Sequence, residues 1–208
     1  MTIRAVIFDL GGVVLGSPPH AFRAYEAERG IENNFLNRMV MRNGRAGAWA
    51  RLERGELDMA SFMPAFDAEA LADGVTISTL ELMERVALAS MPRESMVNAV
   101  RKIREHGFRT AALTNNWKAE DQDSKMSLLR SEFDVFVESA IEGVRKPDPR
   151  IYEIACERLG VQPSEAIFLD DLGPNLKPAR AMGMHTIKVD EPEPAIAELE
   201  RLLGKPLR

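Results

Sequence analysis

The sequence predicts an α/β protein, a parallel sheet with helices on both faces and an α-helical module inserted near its start. Three observations carry that prediction. The stretch from Arg4 to Val14 is an apolar run that reads as a buried strand, ends on Asp9 and breaks at once into Gly11-Gly12. Residues 17–91 show no strand pattern at all. Beyond Pro92, short apolar strands alternate with amphipathic helices, the order that builds a parallel sheet covered on both sides.

Taken in order, the first strand stops at the turn cluster Gly16-Ser17-Pro18-Pro19. Helices are expected over 20–29, 33–42, 45–54, 59–72 and 76–89, with apolar positions spaced by threes and fours, such as Leu80, Met83, Val86 and Ala87 in the last. Met91-Pro92-Arg93-Glu94 punctuates the chain again. Met96, Val97, Val100 and Ile103 then share one helix face, which ends at Gly107. A strand follows from Thr110 to Leu113, running into Thr114-Asn115-Asn116, then a helix near 119–131 and a strand from Val135 to Val137. Asp148-Pro149 supplies an N-cap and a first-turn proline for a helix closed by Gly160. The strand Ala166 to Leu169 leads into Asp170-Asp171. A helix from Pro174 to Met182, a strand from His185 to Val189 and a helix from Pro194 to Leu203 complete the pattern. The domain division that follows is a core of residues 1–16 and 92–208 and a helical module of residues 17–91.

Composition narrows the function. With 208 residues, 45% hydrophobic and 28% charged, the chain reads as an ordinary globular protein long enough for one core and a small module. A formal charge of -5 argues against nucleic acid or an anionic membrane surface as the main partner, since both reward a basic face. The lone Cys156 falls in a helical pattern, builds no disulfide framework and fits a reducing cytoplasm. Asp9 interrupts the only segment resembling a signal peptide, so no targeting segment is read.

Four strand ends or adjoining loops present polar groups: Asp9, Thr114 with Asn115, Lys146, and Asp170 with Asp171. Each has an ordinary reading alone, as a turn cap, a loop hydroxyl, a surface lysine or an N-cap pair. Together they form a set suited to phosphoryl transfer: a carboxylate nucleophile, donors and a cation for phosphate oxygens, and further carboxylates for a metal ion. Ligands of open parallel sheets bind beyond the carboxyl ends of the strands, where these groups stand.

The segments Phe8-Asp9-Leu10-Gly11-Gly12-Val13, Leu113-Thr114-Asn115-Asn116, Arg145-Lys146-Pro147-Asp148 and Phe168-Leu169-Asp170-Asp171 resemble the four ordered motifs of the haloacid dehalogenase superfamily. The stretch from Phe133 to Lys188 is most similar to the N-terminal phosphatase domain of soluble epoxide hydrolases. The resemblance implies a Rossmann-like core with a helical cap that opens and closes over the site. It makes Asp9 the nucleophile that becomes an aspartyl phosphate, with Lys146 as its catalytic partner. Thr114, Asn115 and Lys146 would bind phosphate. Asp9, the Gly11 carbonyl and Asp171 would bind Mg2+, with Asp170 in support. The implied partner is a small phosphorylated substrate, with no nucleic acid and no membrane, for a monomer or homodimer.

One position departs from the family. Many superfamily phosphatases carry a second Asp two residues after the nucleophile to protonate the leaving oxygen; here that residue is Gly11. A positioned general acid is worth about 10²- to 10⁴-fold, so phosphates of simple alcohols are expected to turn over slowly. The cap, a metal-bound water or a leaving group stable without protonation would each answer this gap. Gly11 also motivates a second reading, a catalytically weak protein that binds a phosphorylated ligand or a partner. A metal-free 2-haloacid dehalogenase is disfavoured by the paired acids. Specificity is assigned to the cap, where Arg42, Arg45, Trp49, Arg51 and Arg54 are read mainly as a solvated face with Trp49 packed inward, and Trp117 as either entrance or packing. His20, His106 and His185 have no metal-ligand spacing.

Overall fold

The computed structural model describes residues 2–118 and 124–208. Five strands, β1 (Ala5–Phe8), β2 (Arg109–Thr114), β3 (Val135–Glu138), β4 (Ala166–Asp170) and β5 (His185–Lys188), form one sheet in the order β3-β2-β1-β4-β5, parallel throughout. Every residue of β1 and β4 is buried, which is why these strands read as continuous apolar runs rather than as alternations. The chain winds from β1 outward to β3, then crosses back to β4 and β5. The order therefore reverses beside β1, and the crevice beyond the β1 and β4 ends is the switch point of the fold. Phe8 is in register with Leu169, so Asp9 and Asp170 leave the sheet side by side.

Helices cover both faces. On one, α6 (Glu94–Glu105), α7 (Ser124–Ser131) and α11 (Pro192–Leu203) pack Met96, Val100, Ile103, Leu129, Leu199 and Leu203 against Val6, Phe8, Ile167 and Leu169. On the other, α9 (Pro149–Leu159) and α10 (Gly173–Ala181) pack Ile151, Tyr152, Leu159 and Leu176 against Ile7, Leu113 and Phe168. The alternation of β1 side chains between the two clusters is the period-two geometry of a strand. No helix among the described residues is long and apolar enough to cross a membrane.

The segment between β1 and α6 is helical: α1 (Pro18–Arg29), α2 (Phe35–Asn43), α3 (Ala48–Glu53), α4 (Met59–Ala72) and α5 (Thr79–Ala89). These helices share a hydrophobic cluster of their own, with Phe22, Tyr25, Leu36, Trp49, Phe62, Phe66 and Leu82 at its centre. The chain leaves and re-enters the sheet region at one place. Gly16 N donates to Met91 O at 3.1 Å, Arg93 N donates to Val14 O at 2.8 Å, and Leu15 bridges Pro92.

Several boundaries differ from the sequence reading for local reasons. The helix expected over 45–54 is a 3-10 turn at Gly44–Ala46 and then α3, because Gly47 between them is extended. The helix expected from 33 begins at Phe35, since Asn34 adopts a left-handed conformation. The last helix starts at Pro192, whose missing N–H costs nothing in a first turn. In α5 the inward face is Thr79, Leu82 and Val86, whereas Leu80 is 58% exposed, so the apolar set read from spacing is rotated from the buried one. A short helix, α8 (Ser139–Glu142), follows β3 without having been expected. Of the helix expected near 119–131, residues 119–123 lie outside the described residues, and the rest is α7.

Candidate active site

Asp9 is buried at the end of β1. Its Oδ1 accepts the Leu10 N–H at 2.6 Å and lies 2.7 Å from the Lys146 ammonium. Among the described residues both contacts fall on Oδ1, which leaves Oδ2 for another partner. Lys146 is 1% exposed and also donates to Asp170 Oδ2 at 2.8 Å. Its loop is fixed by Asn115, whose side-chain amide donates to Lys146 O at 3.1 Å and accepts from Lys146 N at 2.8 Å. The loop after β2 and the loop before α9 are thereby tied together at their tips.

Asp170 is fully buried and heavily engaged. Asn175 Nδ2 donates to both of its oxygens at 3.0 and 3.1 Å, and Leu172 N donates to Oδ1 at 2.8 Å. Asn175 is held in turn by Tyr152, whose hydroxyl donates to Asn175 O at 2.7 Å. Asp171 is less enclosed, and Ser17 Oγ makes a long contact with it at 3.5 Å. Oxygens of Asp9, Asp170 and Asp171 lie within 4.8 Å of one another. The approach of Asp171 depends on Gly12, which has φ +80°; a β-carbon there would stand 2.2 Å from Asp171 Oδ2.

Three carboxylates thus face one ammonium. Burial holds the Asp9 carboxyl well above its ordinary range and, although Lys146 opposes it, the charges of Asp170 and Asp171 add to the rise. Burial and Asp170 push Asp171 up to about 6. Burial alone would depress Lys146, yet Asp170 and Asp9 outweigh it and raise this group above the usual lysine value. Burial leads the rise at both acids, and the neighbouring carboxylates add to it at each of them while also raising Lys146. A hard divalent cation with oxygen ligands fits this donor set, and Asp9 and Asp171 have the oxygens to spare for it.

The structure brings together Asp9, Lys146, Asp170 and Asp171, with Thr114 buried at the neighbouring end of β2. The Asn115 side chain is engaged at both ends of its amide by the Lys146 backbone. Gly11 carries no acid, and a β-carbon at this position would lie 3.3 Å from Pro18 Cδ, so a side chain there would need Pro18 to give way. Arg54 is 8% exposed rather than solvated; its guanidinium donates to Arg45 O at 2.8 Å and to Glu56 at 2.6 Å. Trp49 is buried and its ring centroid lies 6.1 Å from that of Trp117. Cys156 is buried with its thiol pushed up to about 11, which leaves it unreactive. His106 packs on Pro206 O at the far end of α6.

Sequence reasoning assigned no role to Asn175, Ser17, Tyr152 or the pair Glu53 and Arg145. Only Asn175 had a local signal, as a polar residue in the first turn of the helix after Asp170.

Comparison with known proteins agrees with this arrangement. The family of haloacid dehalogenase-like hydrolases matches residues 3–183. Mouse acyl-CoA dehydrogenase family member 10 is 42% identical over 98% of this chain and 19% of its own length. Pig bifunctional epoxide hydrolase 2 is 33% identical over 98% of this chain and 39% of its own length. The chain therefore spans well under half of these two relatives. Phosphoglycolate phosphatase of Thiobacillus denitrificans is 31% identical, over 88% of this chain and 81% of its own. Among solved structures, a HAD-like family hydrolase from Porphyromonas gingivalis superposes with TM-score 0.70 at 22% identity, covering 98% of both chains. A HAD family enzyme from Bacteroides thetaiotaomicron, in complex with magnesium and inorganic phosphate, superposes with TM-score 0.61 at 19% identity over 89% of this chain and 93% of its own. A family match that runs from β1 past the Asp170-Asp171 pair decides membership: the chain belongs to the haloacid dehalogenase-like hydrolases.

Proposed function

We propose that this protein is a magnesium-dependent phosphatase of a small phosphorylated metabolite, working through an aspartyl phosphate at Asp9. One observation carries the reading: a buried Asp9 with one oxygen clamped by Lys146 and Leu10 N, facing a second pair of acids across a gap of metal-site dimensions. The names of relatives point the same way, since one is a phosphoglycolate phosphatase. A structural relative holds magnesium with inorganic phosphate.

In this reading the Asp9 carboxylate attacks phosphorus, the bond from phosphorus to the ester oxygen breaks, and the leaving group departs with the bonding pair. Water then attacks the aspartyl phosphate, and its phosphorus–oxygen bond breaks to release inorganic phosphate and restore Asp9. Lys146, ordered by Asn115 and Asp170, neutralises charge on Asp9 and on the incoming phosphoryl oxygens. Thr114 and main-chain N–H groups of its loop would take the remaining phosphate oxygens. Asp9, the Gly11 carbonyl and Asp171 would hold magnesium, with Asp170 fixing Lys146 and supporting the metal's waters. When bound, magnesium supplies the positive charge that three carboxylates and a phosphate dianion lack. Residues 17–91 would act as a cap over a core of 1–16 and 92–208.

Gly11 favours a second reading, in which the chain binds a phosphorylated ligand with little turnover. Hydrolysis of an activated aryl phosphate, with magnesium and with chelator, by wild type and Asp9→Asn separates the two. The phosphatase reading requires activity that depends on both; Asp9→Asn should lower it by on the order of 10⁴-fold or more, as loss of a nucleophile does. No hydrolysis by the pure wild type would leave the binding role. A dehalogenase is opposed by the acid cluster, in which three carboxylates share the Lys146 ammonium when no metal ion is bound.

A further inference from the structure

Helix α3 and the turn after it touch the sheet region, and two of the contacts among the described residues fall on loops that carry the candidate site. Trp49 meets Trp117, three residues beyond Thr114, with ring centroids 6.1 Å apart and planes at 75°. Glu53 meets Arg145, the residue before Lys146, with Oε2 and Nε 2.6 Å apart. Just past α3, the backbone at Gly55 comes so close that a β-carbon would lie 2.4 Å from Ala140 O in α8. Glu53 joins the first two points, because its Oε1 accepts the Trp49 indole N–H at 2.9 Å.

The geometry points to Glu53 and Arg145 as a latch: their ion pair couples the docking of α3 to the placement of the loops bearing Thr114, Asn115 and Lys146, so that both are positioning residues for the reaction. This rests on the phosphatase reading above only for what the loops do. Glu53 is 7% exposed, and a carboxylate so enclosed is stable only beside a cation. Arg145 supplies that cation from the sheet side of the seam. Yet Glu53 Oε2 and Arg145 Nε complete no hydrogen bond despite their short separation, so the N–H is not lined up on the oxygen. A contact that is strong in charge and poor in alignment has less to lose on parting than the fully bonded Asp170, as a releasable latch requires. The Asn115 amide carries the effect onward, since it ties the Trp117 loop to the Lys146 backbone beside Arg145.

The chain's two tryptophans both flank this seam, so their fluorescence reads docking without turnover. Acrylamide quenching is measured on the full chain for wild type, Glu53→Gln, Arg145→Met and the charge-keeping Arg145→Lys, together with kcat and KM on an aryl phosphate. Glu53→Gln keeps the acceptor for Trp49 and removes only the charge. Glu53→Gln and Arg145→Met are expected to be quenched more readily, with kcat lowered on the order of 10²-fold, the cost of a remote change that misplaces reacting groups, and KM changed less. Arg145→Lys should recover most of both. A merely structural pair would lower Tm in the first two variants while leaving quenching and kcat at wild-type values, and that result overturns the latch. If wild type hydrolyses no ester, the phosphatase reading fails by itself, and quenching alone judges the latch: unchanged in both variants overturns it, raised in both supports it. Should Glu53→Gln not fold, Arg145→Met, at a side chain 27% exposed, keeps the test open.

Discussion

The acid cluster at the sheet edge and the seam beneath α3 are both buried and charged, but they are built in opposite ways. At the sheet edge Asp170 has every oxygen engaged, by Lys146, Asn175 and Leu172 N, and the elements beneath it are the fully buried β1 and β4. At the seam Glu53 and Arg145 meet with neither Oε2 nor Nε aligned, and the Arg145 side chain is 27% exposed. A site that must present fixed charges to a reacting phosphorus gains from such over-determination. A surface that must part and rejoin gains from its absence.

The sharpest way to break this comparison is to remove charge from each region in turn. Asp170→Asn removes one of the two carboxylates on Lys146 and its charge-assisted bond, and should cost about 1.5 to 3 kcal/mol of stability, the worth of a hydrogen bond to a charged group. Glu53→Gln should cost less. Urea unfolding of both variants measures the difference, and equal losses would erase the distinction between the regions.

A leaving-group series probes the sheet edge itself. With no acid at Gly11, turnover of aryl, acyl and sugar 1-phosphates should exceed that of primary alcohol phosphates by about 10²- to 10⁴-fold, the worth of a general acid. A rate independent of leaving-group pKa would mean that an acid reaches the site from elsewhere, and the seam would be the first place to look.

The smallest effect concerns protons. The Asp171 carboxyl, raised to about 6 in the folded protein, keeps its proton there at pH values where an unfolded Asp, at about 3.9, has lost it. The metal-free protein therefore loses stability as pH rises from about 4 to about 6, and its penalty is complete above that window. Magnesium should offset this penalty. Its addition is expected to raise Tm more at pH 7.5 than at pH 5, and its affinity to fall as pH drops through about 6, measured by calorimetry. A magnesium response independent of pH would remove Asp171 from the metal-binding set.

Much of the fold was legible because buried parallel strands announce themselves as short apolar runs, and because each ended on a polar residue at a predictable edge. The acids and Lys146 were legible as strand-end groups, and the resemblance supplied their roles. What escaped depended on distant partners. Spacing placed Leu80 and Met83 beside Val86 on the inner face of α5; Val86 is buried, but packing against α1 turns Leu82 inward in place of Leu80. Arg54 looked like part of a solvated stripe, yet it folds back on Arg45 O and Glu56. The tie between the Asn115 amide and the Lys146 backbone, 31 residues away, left no local signal either. Glu53 and Arg145 lie far apart in sequence, and no local pattern relates them.

The paired segments at Leu15 and Pro92 have a further consequence. Because the polypeptide departs from the sheet and returns to it through neighbouring backbone, everything between those points is wired to the rest as a cassette. Its length, helix count and surface chemistry can drift through evolution without shifting the register of a single strand. On the proposed reading of this segment as a cap, substrate preference could change while the strand-end acids stay fixed. A designer wishing to retarget this hydrolase has a natural pair of splice sites, with the demand that any replacement restore the contacts made to Arg145, Trp117 and Asp171.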